Sequence, residues 1–224
     1  MSALGGDETE EDLFPNKLST GIDILDNPEY LKGGFKKGSV VTLIADPIST
    51  AELFMYDIAS MRPTNYFTTS RSEEAVRSNL EIMERSPEEF DVIDVFSADE
   101  VFRTVVEGLE DVGREENIII DTVSDLARHD RFDDILDTVY RVSHETNSVT
   151  YLYMIKENEE TMDYVESRIP YLSDVVMKVT TGLEGEKIEN RLAISKLRGQ
   201  TPPEKTIKLI IGEEITVDTS RDIA

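Results

Sequence analysis

Along the chain, short apolar runs alternate with stretches in which apolar side chains recur every three or four positions. Five runs have strand length and are rich in β-branched and aromatic residues: Val40 to Ala45, Asn65 to Thr69, Asp91 to Phe96, Asn117 to Asp121 and Val149 to Ile155. The stretches between them predict helices. Ala51, Phe54, Met55, Ile58 and Ala59 fall on one face, and Val76, Leu80 and Met83 form a stripe within Ser72 to Arg85. Val101, Val105, Leu109 and Val112 do the same within Glu100 to Gly113, as do Ile135, Leu136, Val139 and Val142 within Arg131 to Thr146. Strands alternating with helices predict a parallel sheet covered on both faces.

After one more predicted helix, Glu159 to Ile169, the pattern changes. Strands are expected over Ser173 to Thr180, Arg191 to Leu197, Lys205 to Ile211 and Glu214 to Val217. The turns between them include Gly182 to Glu186, Gly199 to Pro203 and Gly212-Glu213. Hairpins of this kind extend a sheet antiparallel. The fold class is therefore α/β, three-layered, with a mainly parallel central sheet extended by C-terminal antiparallel hairpins. Residues 1–16 are expected to be an acidic disordered tail, and residues 17–224 a single domain, since no linker divides them.

Charge narrows the function classes. Lys and Arg total 23 against 47 Asp and Glu, a net charge of −24 distributed along the whole chain. Such an envelope repels nucleic acid and anionic lipid at ordinary ionic strength. It fits either adaptation to molar salt, where charges are screened within about 3 Å, or a basic partner. There are no cysteines, so disulfides, thiolate metal sites and cysteine nucleophiles are excluded. The opening residues are too acidic for a signal peptide and no apolar stretch spans a bilayer. A cytoplasmic protein with no membrane contact is expected.

A family resemblance rests on several short matches in order. They are Leu18-Ser19-Thr20-Gly21-Ile22, Leu25-Asp26, Gly33-Gly34-Phe35 and Gly38-Ser39-Val40-Val41-Thr42-Leu43-Ile44. Asn117 to Asp125 follows, then Leu192 to Gly199 with Thr206 to Gly212 behind it. Together these resemble the KaiC/RadA-like branch of the RecA-superfamily P-loop ATPases, in a haloarchaeal type, across about residues 17 to 217. The resemblance implies a RecA-like fold, with Asn117 to Asp121 as the Walker B strand.

The family's phosphate loop has the form G-x-x-x-x-G-K-[ST]. Its backbone N–H groups cradle phosphates, Lys reaches the β and γ groups, and Ser or Thr binds Mg²⁺. Here the loop falls on Ala45, Asp46, Pro47, Ile48, Ser49, Thr50, Ala51 and Glu52, and the four defining residues are replaced by Ala45, Thr50, Ala51 and Glu52. Cβ atoms stand where glycines allow close approach, the cation is gone, and Glu52 and Asp46 repel a triphosphate. Ser49-Thr50-Ala51-Glu52 reads instead as a capping box, S-x-x-E, in which Ser49 and Glu52 close the helix end that would have met phosphate.

Ser70 and Arg71 fall where active members carry the carboxylate that orients the attacking water, while Ser72 onward reads as a helix start. Asp121 keeps the family's metal-associated position, and also reads as a polar residue ending a buried strand. Lys196 and Arg198 match a Lys-x-Arg pair that, in ring-forming relatives, reaches the neighbour's nucleotide; alternation puts both on one strand face. His129, beside Asp130 and Asp133, reads as a solvated helix start, and Met55, Met61 and Met83 as core filler.

These residues best fit a pseudo-ATPase, a non-catalytic regulatory or signalling protein with no cofactor, acting through a protein partner or a homo-oligomer. One alternative is an ATP-binding switch that forms rings, with Asp121 serving Mg²⁺ and Lys196 and Arg198 reaching ATP across subunits. The other is a recombination accessory protein, which the charge opposes.

Overall fold

Four of the five apolar runs become strands shielded on both faces, and the other, the run from Asp91 to Phe96, forms an edge strand on which Asp91 is exposed. The computed structural model of the chain describes residues 15–49, 51–84, 90–156, 168–184, 187–210 and 216–218. The proposed tail up to residue 14, position 50 and most of the helix expected over Glu159 to Ile169 lie outside them. Two short strands, β1 (Lys17–Leu18) and β2 (Phe35–Lys36), pair antiparallel, with helix α1 (Asp23–Asp26) between them. The main sheet then begins with β3 (Val40–Ala45), followed by α2 (Ala51–Ala59), β4 (Thr64–Thr68), α3 (Glu73–Ile82), β5 (Phe90–Asp94) and α4 (Val101–Glu110). Next come β6 (Asn117–Asp121), α5 (Val123–Leu126), α6 (Phe132–Thr146), β7 (Val149–Ile155), β8 (Val175–Glu184), β9 (Lys187–Leu197), β10 (Ile207–Ile210) and β11 (Thr216–Asp218).

The sheet order is β11-β10-β9-β8-β3-β7-β6-β4-β5. Strands β8 through β5 in that order run parallel, and β9, β10 and β11 alternate antiparallel. The switch therefore comes between β8 and β9, one strand later than hairpins throughout the C-terminal part would place it. Side chains alternate across the sheet into two apolar layers. Leu43, Tyr151 and Met177 pack with α2 and α3 on one face. Val40, Ile118, Ile120, Leu152 and Met154 pack with α4, α5 and α6 on the other. Each such full burial contributes about 2 kcal/mol.

Several boundaries differ from the apolar pattern for local reasons. The strand expected over Asp91 to Phe96 stops at Asp94, where the carboxylate accepts from the N–H groups of Ser97 (2.8 Å) and Glu73 (3.2 Å) and turns the chain. Within the turn expected over Gly182 to Glu186, β8 continues as strand through Glu184, paired with β9 through Gly182↔Glu189 and Leu183↔Ile188; residues 185–186 lie outside the described residues. Met61 is about half exposed, whereas Met55 is core and Met83 packs against it. Among the described residues, no helix is long and apolar enough to cross a membrane. Strands β3, β4, β6 and β7 end along one edge of the sheet, the edge where open α/β sheets hold ligands.

Candidate functional site

The tight connection after β4 determines what lies at that edge. Thr69 N–H donates to Asp121 O (2.7 Å), and Thr68 Oγ1 donates to Arg71 O (2.7 Å). Ser72 then caps α3, its Oγ accepting from Ala75 N–H, as the expected helix start requires. Ser70 is left exposed at the turn. Glu73 pairs with Arg77 one helical turn on, at 2.7 Å.

Arg71 is thereby folded back over the strand ends. Its Nη2 lies 2.6 Å from Asp121 Oδ2, and donates to Tyr56 Oη (3.2 Å) and Tyr66 Oη (3.5 Å). Its Nη1 faces Glu52 Oε1 at 3.9 Å. Tyr66, buried one pleat back on β4, donates its hydroxyl to the same Asp121 Oδ2. The Asp121 side chain is only 3% exposed, against 24% for Arg71 and 36% for Glu52. A carboxylate so deeply buried is tolerated because a cation and a hydroxyl hold it.

The electrostatics follow from this packing. Burial works against the charge on Arg71, but Asp121 and the two tyrosines outweigh it and hold the guanidinium pKa above its ordinary value. Burial, reinforced by Asp121, pushes the Tyr66 phenol well above its ordinary range. Tyr153 is raised by burial and then by Glu52 and Asp121, and Tyr56 is raised by burial. All four tyrosine and arginine side chains around Asp121 thus keep their protons at neutral pH.

The loop between β3 and α2 is bound to the sheet through Asp46. Asp46 N–H donates to Val179 O (3.1 Å), and Asp46 Oδ2 accepts from Thr181 N–H (3.0 Å), so its carboxylate closes the gap to β8. Pro47 and Ile48 are exposed, Ser49 and Ala51 are buried, and Thr50 lies outside the described residues. Ser49 N–H donates to Asp46 O (3.0 Å) and Glu52 faces Arg71, so the reciprocal half of the expected capping box gives way to a turn and an ion pair. Beyond Asp121, Thr122 N–H donates to Thr69 Oγ1 (2.6 Å) and Thr122 Oγ1 to Asp125 Oδ2 (2.8 Å), knitting the loops after β4 and β6 together.

Lys196 on β9 and Arg198, just past its end, lie away from this cluster, and both serve their own chain. Lys196 Nζ donates to the carbonyls of Pro170 and Tyr171, each at 2.8 Å. Arg198 pairs with Asp174 at 3.0 Å and donates to Leu172 O. His129 Nδ1 accepts from Arg131 N–H (3.2 Å), and among the described residues no group of three or more His, Asp or Glu could hold a metal.

The structure thus brings together Glu52, Arg71 and Asp121 and leaves Ser70, Lys196 and Arg198 apart. Sequence reasoning did not find Tyr56, Tyr66 or Tyr153. The available signal was a tyrosine at a core position of a helix or strand, since a buried phenol seeks a polar partner.

No curated protein matches the chain. The fold is that of the KaiC-like protein PH0186 from the hyperthermophilic archaeon Pyrococcus horikoshii OT3, whose crystal structure superposes with a TM-score of 0.73 at 17% identity, covering 90% of this chain and 98% of that one. Residues 17–224 match the model described as a family of unknown function (DUF7125), and the chain belongs to that family.

Proposed function

We propose that the protein is a RecA/KaiC-like pseudo-ATPase, a non-catalytic regulatory or interaction protein whose degenerate phosphate loop no longer binds ATP. One observation carries this reading: the Arg71 guanidinium contacts Asp121 and faces Glu52, and positions 52 and 121 are those the family resemblance assigns to Mg²⁺. An internal cation takes the place of the metal. Mg-ATP does not fit these residues. Asp121 Oδ2 is already engaged by Arg71 and Tyr66, Glu52 adds a carboxylate where the loop needs a neutral hydroxyl, and Ala51 offers no cation to the β and γ phosphates.

The fold then serves as a binding scaffold, for a protein partner or for a second copy of the chain. The dispersed charge of −24 suits a salt-rich cytoplasm, and molar KCl is the proper medium for testing the protein. Titration with a fluorescent ATP analogue and Mg²⁺ in molar KCl is expected to show no saturable signal. Light scattering is expected to give the same mass with and without ATP. Micromolar analogue binding, or ATP-dependent assembly, would overturn the reading and favour the ring-forming switch; the engagement of Lys196 and Arg198 with their own chain's carbonyls speaks against that switch.

A further inference from the structure

A cleft of about 380 Å³ opens beside the end of β3, on the sheet face opposite the Arg71 cluster. Alternation places its walls. Ile44 packs toward the α6 layer, and in register beside it on β8 stands Lys178, on the same face as Val176. Ala45 pairs with Ile155 on β7, so Lys156, the next residue, stands level with Asp46. Lys196 on β9 is in register with Val176. Three lysines, on β8, on β9 and directly after β7, therefore line one cleft of a chain that has 23 basic residues against 47 acidic ones.

Lys196 is engaged by two carbonyls, but Lys156 and Lys178 have no ion pair among the described residues. Asp46 is the acid in the lining; its carboxylate is turned onto the Thr181 N–H of β8, and the three lysines outnumber it. Strand spacing and pleat put the Cα atoms of Lys156 and Lys178 roughly 12 Å apart. Lysine stems are long enough to close on a tetrahedral anion between them, and the ammonium is a point charge suited to phosphate. Hydroxyls of Thr180 and Ser195 border the same space, and Ile44, Val176 and Pro170 supply an apolar wall. The volume exceeds that of orthophosphate and falls in the range of small-ligand sites.

We propose that this cleft binds a small phosphomonoester, its dianionic head between Lys156 and Lys178 and its organic body against Ile44, Val176 and Pro170. The site shares no residue with the Arg71 cluster but borders the loop at Ala45 and Asp46 and takes in Lys196; titration with the ATP analogue tests the ATPase reading separately. The test is calorimetric or phosphorus-NMR titration of the full chain with inorganic phosphate, ribose 5-phosphate and ribose.

Saturable millimolar or tighter binding is expected for phosphate, tighter binding for ribose 5-phosphate, and none for ribose. Lys156→Gln and Lys178→Gln should each weaken binding about tenfold without moving the unfolding midpoint. Lys37→Gln, whose lysine pairs with Glu115 at the other end of the sheet, should leave it unchanged. No saturation in the millimolar range, or equal weakening by Lys37→Gln, would overturn the site. Binding of phosphate with ribose 5-phosphate excluded would overturn the assignment of the organic body.

Discussion

Replacing Arg71 by Met keeps most of the apolar stem and removes the charge, leaving a carboxylate that is 3% exposed with only the Tyr66 hydroxyl to hold it. Charge centres about 4 Å apart interact by about 4 kcal/mol at an effective dielectric constant near 20. Water reaching the 24%-exposed Arg71 site and the surviving Tyr66 bond offset part of this, so Arg71→Met is expected to destabilise by about 3 kcal/mol, in line with the cost of orphaning one member of a buried pair. With a urea m-value of about 2 kcal/mol per molar, the midpoint falls by about 1.5 M. Asp121→Asn in the Arg71→Met background should cost much less than in the parent protein, giving a coupling energy of about 2 kcal/mol.

Urea unfolding of the parent, both single variants and the double variant in molar KCl measures this cycle. Because the pair is buried, the coupling should persist as KCl is raised. Glu52→Gln, on the half-exposed limb, should change stability by no more than about 0.5 kcal/mol. A coupling below about 0.5 kcal/mol would refute the argument that Arg71 is the internal counter-ion of Asp121.

Two further outcomes follow from the packing. The phenols of Tyr66, Tyr151 and Tyr153 are all raised above 10.0, burial being the largest cause in each. Above pH 10 the unfolded chain loses these protons while the folded chain keeps them, so stability is full below that pH and falls as pH rises, by up to about 1.4 kcal/mol per pH unit for each tyrosine. Tyrosinate absorbance should show these groups titrating only together with unfolding; early, non-cooperative titration would contradict their burial. Gly34 has φ +105°, and a Cβ there would lie 2.1 Å from Leu18 O, a backbone atom of β1. Gly34→Ala should therefore cost about 3 kcal/mol or more and lower the melting temperature by roughly 6–12 °C. Gly182→Ala, with nothing within 4 Å, should leave it nearly unchanged, and equal effects of the two would refute the clash.

The central sheet was legible because its strands are buried on both faces and so appear as continuous apolar runs, with Val40 to Ala45 and Asn117 to Asp121 matching residue for residue. The hairpin of β8 and β9 was less legible. Gly182 reads as punctuation, and Leu183 and Ile188 would ordinarily be core, yet they are 80% and 73% exposed on a ladder that continues to Glu184↔Lys187. Backbone pairing, invisible in composition, extends those strands. At the site, Arg71 was located but its role was not. The family resemblance alone marks Ser70 and Arg71, as the positions where a carboxylate is expected. That the Arg71 side chain reaches Asp121, fifty residues away, depends on a turn held by Thr68 and Thr69 and on no local motif.

The charges at this site are coherent as a set. Asp121 alone would be a buried negative charge that needs a metal; Arg71 without Asp121 and Glu52 would be a partly buried cation that needs an anion. Together they close the electrostatics of the strand edge without a ligand, and Tyr66 takes up the remaining hydrogen bond. The closure also resists reversal. A divalent cation at Asp121 must first displace the 2.6 Å contact to Arg71, and a displacement cost of about 3 kcal/mol lowers metal affinity by roughly two orders of magnitude. On the proposed reading, Ala51→Lys alone is expected to give no nucleotide binding, because Asp121 would still be held by Arg71. Arg71, Asp121, Glu52 and Tyr66 satisfy one another, so this edge of the sheet holds one charge arrangement that needs no bound ion.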